Sequence, residues 1–123
     1  MKKLTYNHDD ILPPDYKESF IVYNAEVIPG ESIRIFGTDS NNAKYEPRPF
    51  DFTFRIGDLV VYDSYNFEYL GKILRISPKT ILIDASGTGR GNIRLSLWRF
   101  SWYNHNYNLE ETRDRNHRMS LTI

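Results

Sequence analysis

The 123-residue sequence has no cysteine. That rules out a disulfide framework and any zinc site built on thiolates, and is compatible with a cytoplasmic setting. No run approaches the roughly 18 consecutive apolar residues that a membrane-spanning helix needs. The opening "MKKLTYNHDD" carries two lysines with no apolar stretch behind them, so it does not read as a signal peptide. Net charge is zero, with 16 Lys+Arg against 16 Asp+Glu. This argues against a strongly polyanion-binding protein, whose affinity rests on neutralising phosphates. Histidine is scarce. His8, His105 and His117 stand far apart, without HxH or HxxxH spacing, so no metal site is expected. No serine sits in a G-x-S-x-G elbow. Asp9-Asp10 reads as a solvated pair, and Glu110-Glu111 as helix-start chemistry. The expectation is therefore a protein with no catalytic residues and no cofactor.

What is abundant is aromatic: 15% of the chain, including nine tyrosines. Aromatic residues suit both pleated β surfaces and binding interfaces. Charge, neutral in sum, is unevenly spread. Residues 1–63 hold 7 basic and 11 acidic side chains, a balance of −4, and residues 64–123 hold 9 and 5, a balance of +4. Between residues 72 and 99, Lys72, Arg75, Lys79, Arg90, Arg94 and Arg99 face only Asp84. Either the two halves attract each other within the fold, or the basic half meets a charged partner.

The length suits one domain. Residues 1–18 read as a polar arm interrupted by Pro13-Pro14, with Ile11, Leu12 and Tyr16 available to lie on the core. Residues 19–123 read as a single barrel. "SFIVYNAEV" and "SIRIF" are strand-like and flank "IPGE", which has the Pro-Gly order of a type II turn. "GTDSNNAKYEPRP" is a long loop offering Tyr45 and Arg48 as contacts. "FDFTFRI" alternates most cleanly, putting Phe50, Phe52, Phe54 and Ile56 on one face. "LVVYD" follows, then "FEYLGKILRI", where Gly71 marks a bulge or bend. "SPKT" is a tight turn into "TILID". Ile73, Ile76, Ile81 and Ile83 are core candidates. "NIRLSLW" is one more strand. Asn108 as N-cap with Glu111 three residues on predicts a short helix over about 109–117.

Strands at regular spacing with tight turns argue a mostly β, partly open antiparallel barrel with a short C-terminal helix. The stretch "FRIGDLVVYD…YLGKILRISPKTILID" resembles SH3-like barrels of the Tudor and KOW kind. Phe54, Gly57, Asp58, Val60, Gly71 and Ile73 carry the likeness, over about 30 residues. Tudor-type resemblance implies an aromatic cage, for which Tyr62, Tyr65 and Tyr69 are the available side chains. In length, Tyr/Asn-rich composition and the segments "YDSYN…GKI…KT" and "RFSWYNHNYNLEE", the chain also resembles small proteins of bacteriophages and mobile elements. Some of those inhibit host defence, anti-CRISPR proteins among them. This resemblance implies a cytoplasmic protein of a bacterial host that inhibits or modulates a nucleic-acid-handling effector, such as a CRISPR nuclease, by protein–protein contact.

Two surfaces are candidates for binding. Trp98, Arg99, Trp102, Tyr103 and Tyr107 have the Trp/Tyr/Arg composition of interface hot spots. The bland alternative is that one tryptophan plugs a barrel end, and one buried Trp is expected. Lys72, Arg75, Lys79, Arg90, Arg94 and Arg99 lie on neighbouring strands and loops, as a basic surface for RNA or single-stranded DNA would. Arg94 alternates against Ile93 and Leu95 and should point outward. Lys72 and Arg75 are three apart, so one outward row holds both only if the strand bends at Gly71. "SGTGRGN" is Gly-rich, but no Lys-Ser/Thr and no helix follow it, so it is not a P-loop. If it binds phosphate, Arg90 is the contact. Tyr65, at a loop tip, is the aromatic of its cluster placed to touch a partner.

Overall fold

A computed structural model describes residues 2–13, 21–40, 47–63 and 69–106. It shows a mostly β protein with two four-stranded antiparallel sheets and a short helix after the last strand. The first sheet runs β1 (Leu4–Tyr6), β2 (Ile21–Ile28), β3 (Ser32–Asp39), β4 (Arg48–Arg55). The second runs β5 (Leu59–Asp63), β6 (Tyr69–Ile76), β7 (Thr80–Asp84), β8 (Asn92–Ser96). Strand order follows chain order in both, as hairpin-connected meanders do. A one-turn helix, α1 (His8–Ile11), follows β1, and α2 (Leu97–Asn104) follows β8 directly.

Period-2 patterning sorts the side chains. On β2, Ile21, Tyr23, Ala25 and Val27 are buried in alternation, and Ile33 and Ile35 continue the pattern on β3. The turn between them closes with the Glu31 N–H donating to the Ile28 carbonyl at 2.9 Å. On β4, Phe50 and Phe54 are buried and Phe52 packs against the core. Ile56 does not continue that face. It lies beyond the strand in the turn and is 47% exposed. The polar start of the chain contributes β1, paired with β2 through Leu4↔Val27 and Tyr6↔Ala25. Three residues are too few for alternation to announce a strand. Ile11 is buried and Leu12 packs on the core, as expected of that segment.

The register of the first sheet is unbroken from Ile21↔Asp39 to Ser32↔Arg55. The second sheet slips twice, between Val61 and Asp63 against β6, and between Ile73 and Arg75 against β7. Bulges increase local twist and bend the strand, and one of the two sheets forms a half-barrel. Helix α2 packs against β5 and β8, the two edge strands of the second sheet, and also reaches β2 and β7. The expected bend at Gly71 lies between these two slips. Glycine is required there for a different reason: a Cβ would collide with the Asp84 carbonyl oxygen of β7. Gly37 on β3 is under the same constraint from the Val22 carbonyl.

One core unites the sheets, with Val27, Ile33, Ile35 and Phe54 from the first and Val60, Tyr62, Ile73, Ile76, Ile81, Ile83 and Leu95 from the second. Hydrogen bonds stitch them together as well. The Gly30 N–H donates to the Ile76 carbonyl at 2.7 Å, and the Tyr6 hydroxyl to the Pro78 carbonyl at 2.6 Å. Neither tryptophan plugs the barrel end. Trp98 is half-buried and Trp102 44% exposed. Phe100 takes that place, fully buried and edge-on to Phe54 at 5.4 Å. The helix expected over 109–117, Tyr45, Tyr65 and Tyr107 lie outside the described residues.

Candidate functional site

The outward face of the second sheet follows from the same alternation that builds its core. Ile81, Ile83 and Leu95 point inward, which turns Thr80, Leu82, Arg94 and Ser96 outward. Leu82 pairs with Arg94 on one side and Arg75 on the other. The slip between Ile73 and Arg75 is what admits Arg75 to this row, because Leu74 is the extra residue. The bend needed to put Lys72 and Arg75 on one face thus sits at Leu74, three residues past Gly71. With strands about 4.8 Å apart, Arg75 and Arg94 have Cα atoms about 10 Å apart across Leu82. Lys79 lies in the adjoining β6–β7 turn.

The neighbours of each cation set its availability. Lys72, Arg75, Lys79, Arg94 and Arg99 are all exposed, and none makes an ion pair among the described residues. Lys72 is partly offset by Asp84. The Asp84 carboxyl is held below the usual range chiefly by hydrogen bonds from Ser86, with Lys72 adding a smaller pull. Arg90 is engaged. It donates to Asp63 Oδ2 at 2.7 Å, and this bond raises the guanidinium above its ordinary value. The Gly-rich loop holds itself together as well, with Ser86 N–H on Asp84 Oδ1 and Ala85 N–H on the Gly91 carbonyl.

Helix α2 begins where Ser96 ends β8, its Oγ accepting from the Arg99 N–H at 3.3 Å as an N-cap. Leu97, Phe100, Ser101 and Asn104 form its buried face. At 100° per residue, Arg99 and Trp102 therefore fall on the solvent side, while Trp98 and Tyr103 flank it, half-buried against the core. The rings of Trp98 and Trp102 lie 6.2 Å apart. Asn104 clamps the helix. Its Oδ1 accepts from Val61 N–H, and its Nδ2 donates to the carbonyls of Val61 and Phe100, all at 2.9–3.0 Å. The amide thereby satisfies the edge of β5 as another strand would. Sequence reasoning missed this residue. Its signal was the i, i+4 spacing from Phe100 on the apolar face.

His105 follows in a cage of Tyr23, Phe50 and Trp102. Its Nδ1 lies 2.8 Å from the Trp102 carbonyl and must donate there, and Nε2 lies 3.4 Å from Asp39 Oδ2. His8 Nδ1 accepts from the Tyr23 N–H at 3.0 Å and so carries no proton in this arrangement. Both imidazoles act here as packing and capping groups. Of the tyrosine cluster, Tyr62 is core, and Tyr69 is half-buried against it at 6.2 Å. A groove of about 510 Å3 lies between the N-terminal segment and the second sheet, lined by Tyr6, Asp10, Ile11, Lys79, Ser96 and Leu97 among others. No described helix is long and apolar enough to cross a membrane. The chain matches no protein-family model, no curated protein and no solved structure.

Proposed function

We propose that the protein is a non-catalytic binding protein that docks a partner protein on the solvent side of α2. The observation that carries this reading is the pairing of Trp102, 44% exposed, with a helix clamped on its opposite face by three Asn104 hydrogen bonds. Large aromatic and arginine side chains on a pre-ordered element lose little entropy on binding, and interface energy concentrates in such residues. In its finer form the partner is a nucleic-acid-handling effector of a bacterial host, such as a CRISPR nuclease, which the protein inhibits. The likeness to small phage and mobile-element proteins supports that form.

Two experiments test the two levels. Bait protein, wild type or the Trp102→Ala/Arg99→Ala double variant, is incubated with bacterial host lysate, and retained proteins are compared. A partner held by wild type and lost by the variant supports the docking surface. Equal retention, or none with either bait, overturns it. For the finer form, cells whose CRISPR nuclease blocks phage infection express each version. Plaques restored by wild type but not by the double variant support inhibition, and no restoration removes the CRISPR assignment.

A further inference from the structure

We infer that the outer face of the second sheet is a binding surface for single-stranded nucleic acid. This face is separate from the docking side of α2, and the inference does not rest on the protein-binding reading.

Charge decides first. Described residues 69–106 hold six basic side chains and one acidic, Asp84, whereas described residues 2–63 hold five and eight. Arg90 is taken by Asp63 and Lys72 is shared with Asp84. Arg75, Lys79 and Arg94 remain exposed on this sheet without a carboxylate partner among the described residues, and Arg99 is likewise exposed on α2. The fold spends a bulge to bring Arg75 into line with Arg94. Like charges held in one row repel one another, so the arrangement gains most when an anion covers it.

Composition then chooses the class of anion. Protein interfaces keep an apolar or aromatic centre and are depleted of charge there. Here the centre is charged, with two arginines about the single half-buried Leu82. Arginine's planar fork matches phosphate. Curvature chooses the strandedness. Both edge strands of this sheet, β5 and β8, contact α2 on the core side, so the sheet wraps that helix and its outer face is convex. A duplex is stiff over about 50 nm and would touch a convex face along a line, whereas a single strand can follow it. The row has no aromatic ring, so bases meet Leu82 and the neighbouring Leu74, 42% exposed, and recognition tolerates any sequence.

The test is fluorescence anisotropy with labelled oligo-dT and oligo-U of about 15 nucleotides, a length set by the site sizes of small binding modules. Single strands lose affinity with a log–log salt slope of about −0.7 per phosphate neutralised. Contacts by Arg75, Lys79 and Arg94 then predict a slope of about −2, or about 20-fold weaker binding between about 50 and about 200 mM salt. Arg75→Gln/Arg94→Gln should reduce that loss to about threefold while leaving the thermal midpoint unchanged, since both side chains are exposed. Lys79→Gln should give an intermediate slope, and Lys3→Gln on the first sheet the wild-type one. Absence of binding at the lower salt overturns the inference, as does wild-type affinity in the double variant. A duplex bound as tightly as the single strand overturns the assignment of strandedness. Polyglutamate that displaces the oligonucleotide at equal charge would assign the face to an acidic protein instead.

Discussion

The two sheets match in strand number and connectivity but handle charge and register in opposite ways. The first keeps one register throughout and links its central outer charges into a chain. Lys3 lies 3.6 Å from Glu26, and Glu26 3.4 Å from Arg34. Arg34 then grips Asp51 with two bonds of 2.8 and 2.7 Å while its guanidinium stacks over Phe36 at 4.3 Å. The second sheet breaks register twice, curls, and leaves Arg75, Lys79 and Arg94 without described partners. Equal numbers of strands thus yield one face with a linked chain of ion pairs at its centre, flanked by exposed Arg48 and Arg55 at the ends of β4, and one whose central arginines have no described ion-pair partner. Exposed ion pairs contribute little to stability, about 0–1 kcal/mol each. The contrast therefore bears on what each face can bind more than on what holds the fold together.

The largest effects should come where each sheet tolerates no side chain. Gly37→Ala drives a methyl into the Val22 carbonyl and Gly71→Ala into that of Asp84. Each should cost about 4 kcal/mol or more, the range of the severest single substitutions. The deeper overlap at Gly37 makes it the worse, which denaturant midpoints will rank. Next is the plug of the half-barrel. Phe100→Ala should cost about 3–5 kcal/mol, while Trp102→Ala should stay within about 0.5 kcal/mol, as surface substitutions do. Comparable losses at both positions would mean that Trp102 is part of the core.

Asn104 and Ser101 sit side by side on the buried face of α2 and make opposite predictions. Asn104→Ala strands the N–H and carbonyl of Val61 at the β5 edge and should cost about 2–4 kcal/mol. The Ser101 Oγ is buried without a hydrogen-bond partner among the described residues, so Ser101→Ala should be neutral or stabilising by about 1 kcal/mol. Thermal midpoints of the two variants should move in opposite directions.

How far the sequence foretold these roles differs from residue to residue. Alternation in "FDFTFRI", the turn "SPKT" and the isoleucines of β6 and β7 disclosed strands and core because period-2 patterning is local. The strand at Leu4–Tyr6 was hidden by its brevity, and the end of β8 at Ser96 by a capping role that resembles ordinary alternation. Arg94 was legible as outward-facing. The pairing of Arg90 with Asp63, 27 residues away, and the alignment of Arg75 with Arg94 were not. Both depend on register across strands, which one strand's pattern does not carry. The expectation of a buried tryptophan failed because residue size alone does not choose among Trp98, Phe100 and Trp102. The helix phase does.

The smallest effect should appear in acid. The Asp51 carboxyl is held below the usual range by its bonds from Arg34. A depressed folded value stabilises the protein above the ordinary carboxylate range near pH 4, and the contribution is lost as pH falls through the folded value. Arg34→Gln should therefore flatten the acid limb of a stability-versus-pH curve only slightly, since the pair is solvent-screened. Arg75→Gln should leave that limb as it is.

The contrast between the faces is tested most directly by two-dimensional 15N NMR during titration with a short oligo-dT. Amide shifts and broadening should cluster at Arg75, Leu82 and Arg94, and the Nε–H signal of Arg34, tied to Asp51, should stay in place. Perturbations as large at Arg34 and Asp51, or none at Arg75 and Arg94, would contradict the claim that the outer face of the second sheet is where a single strand meets the protein.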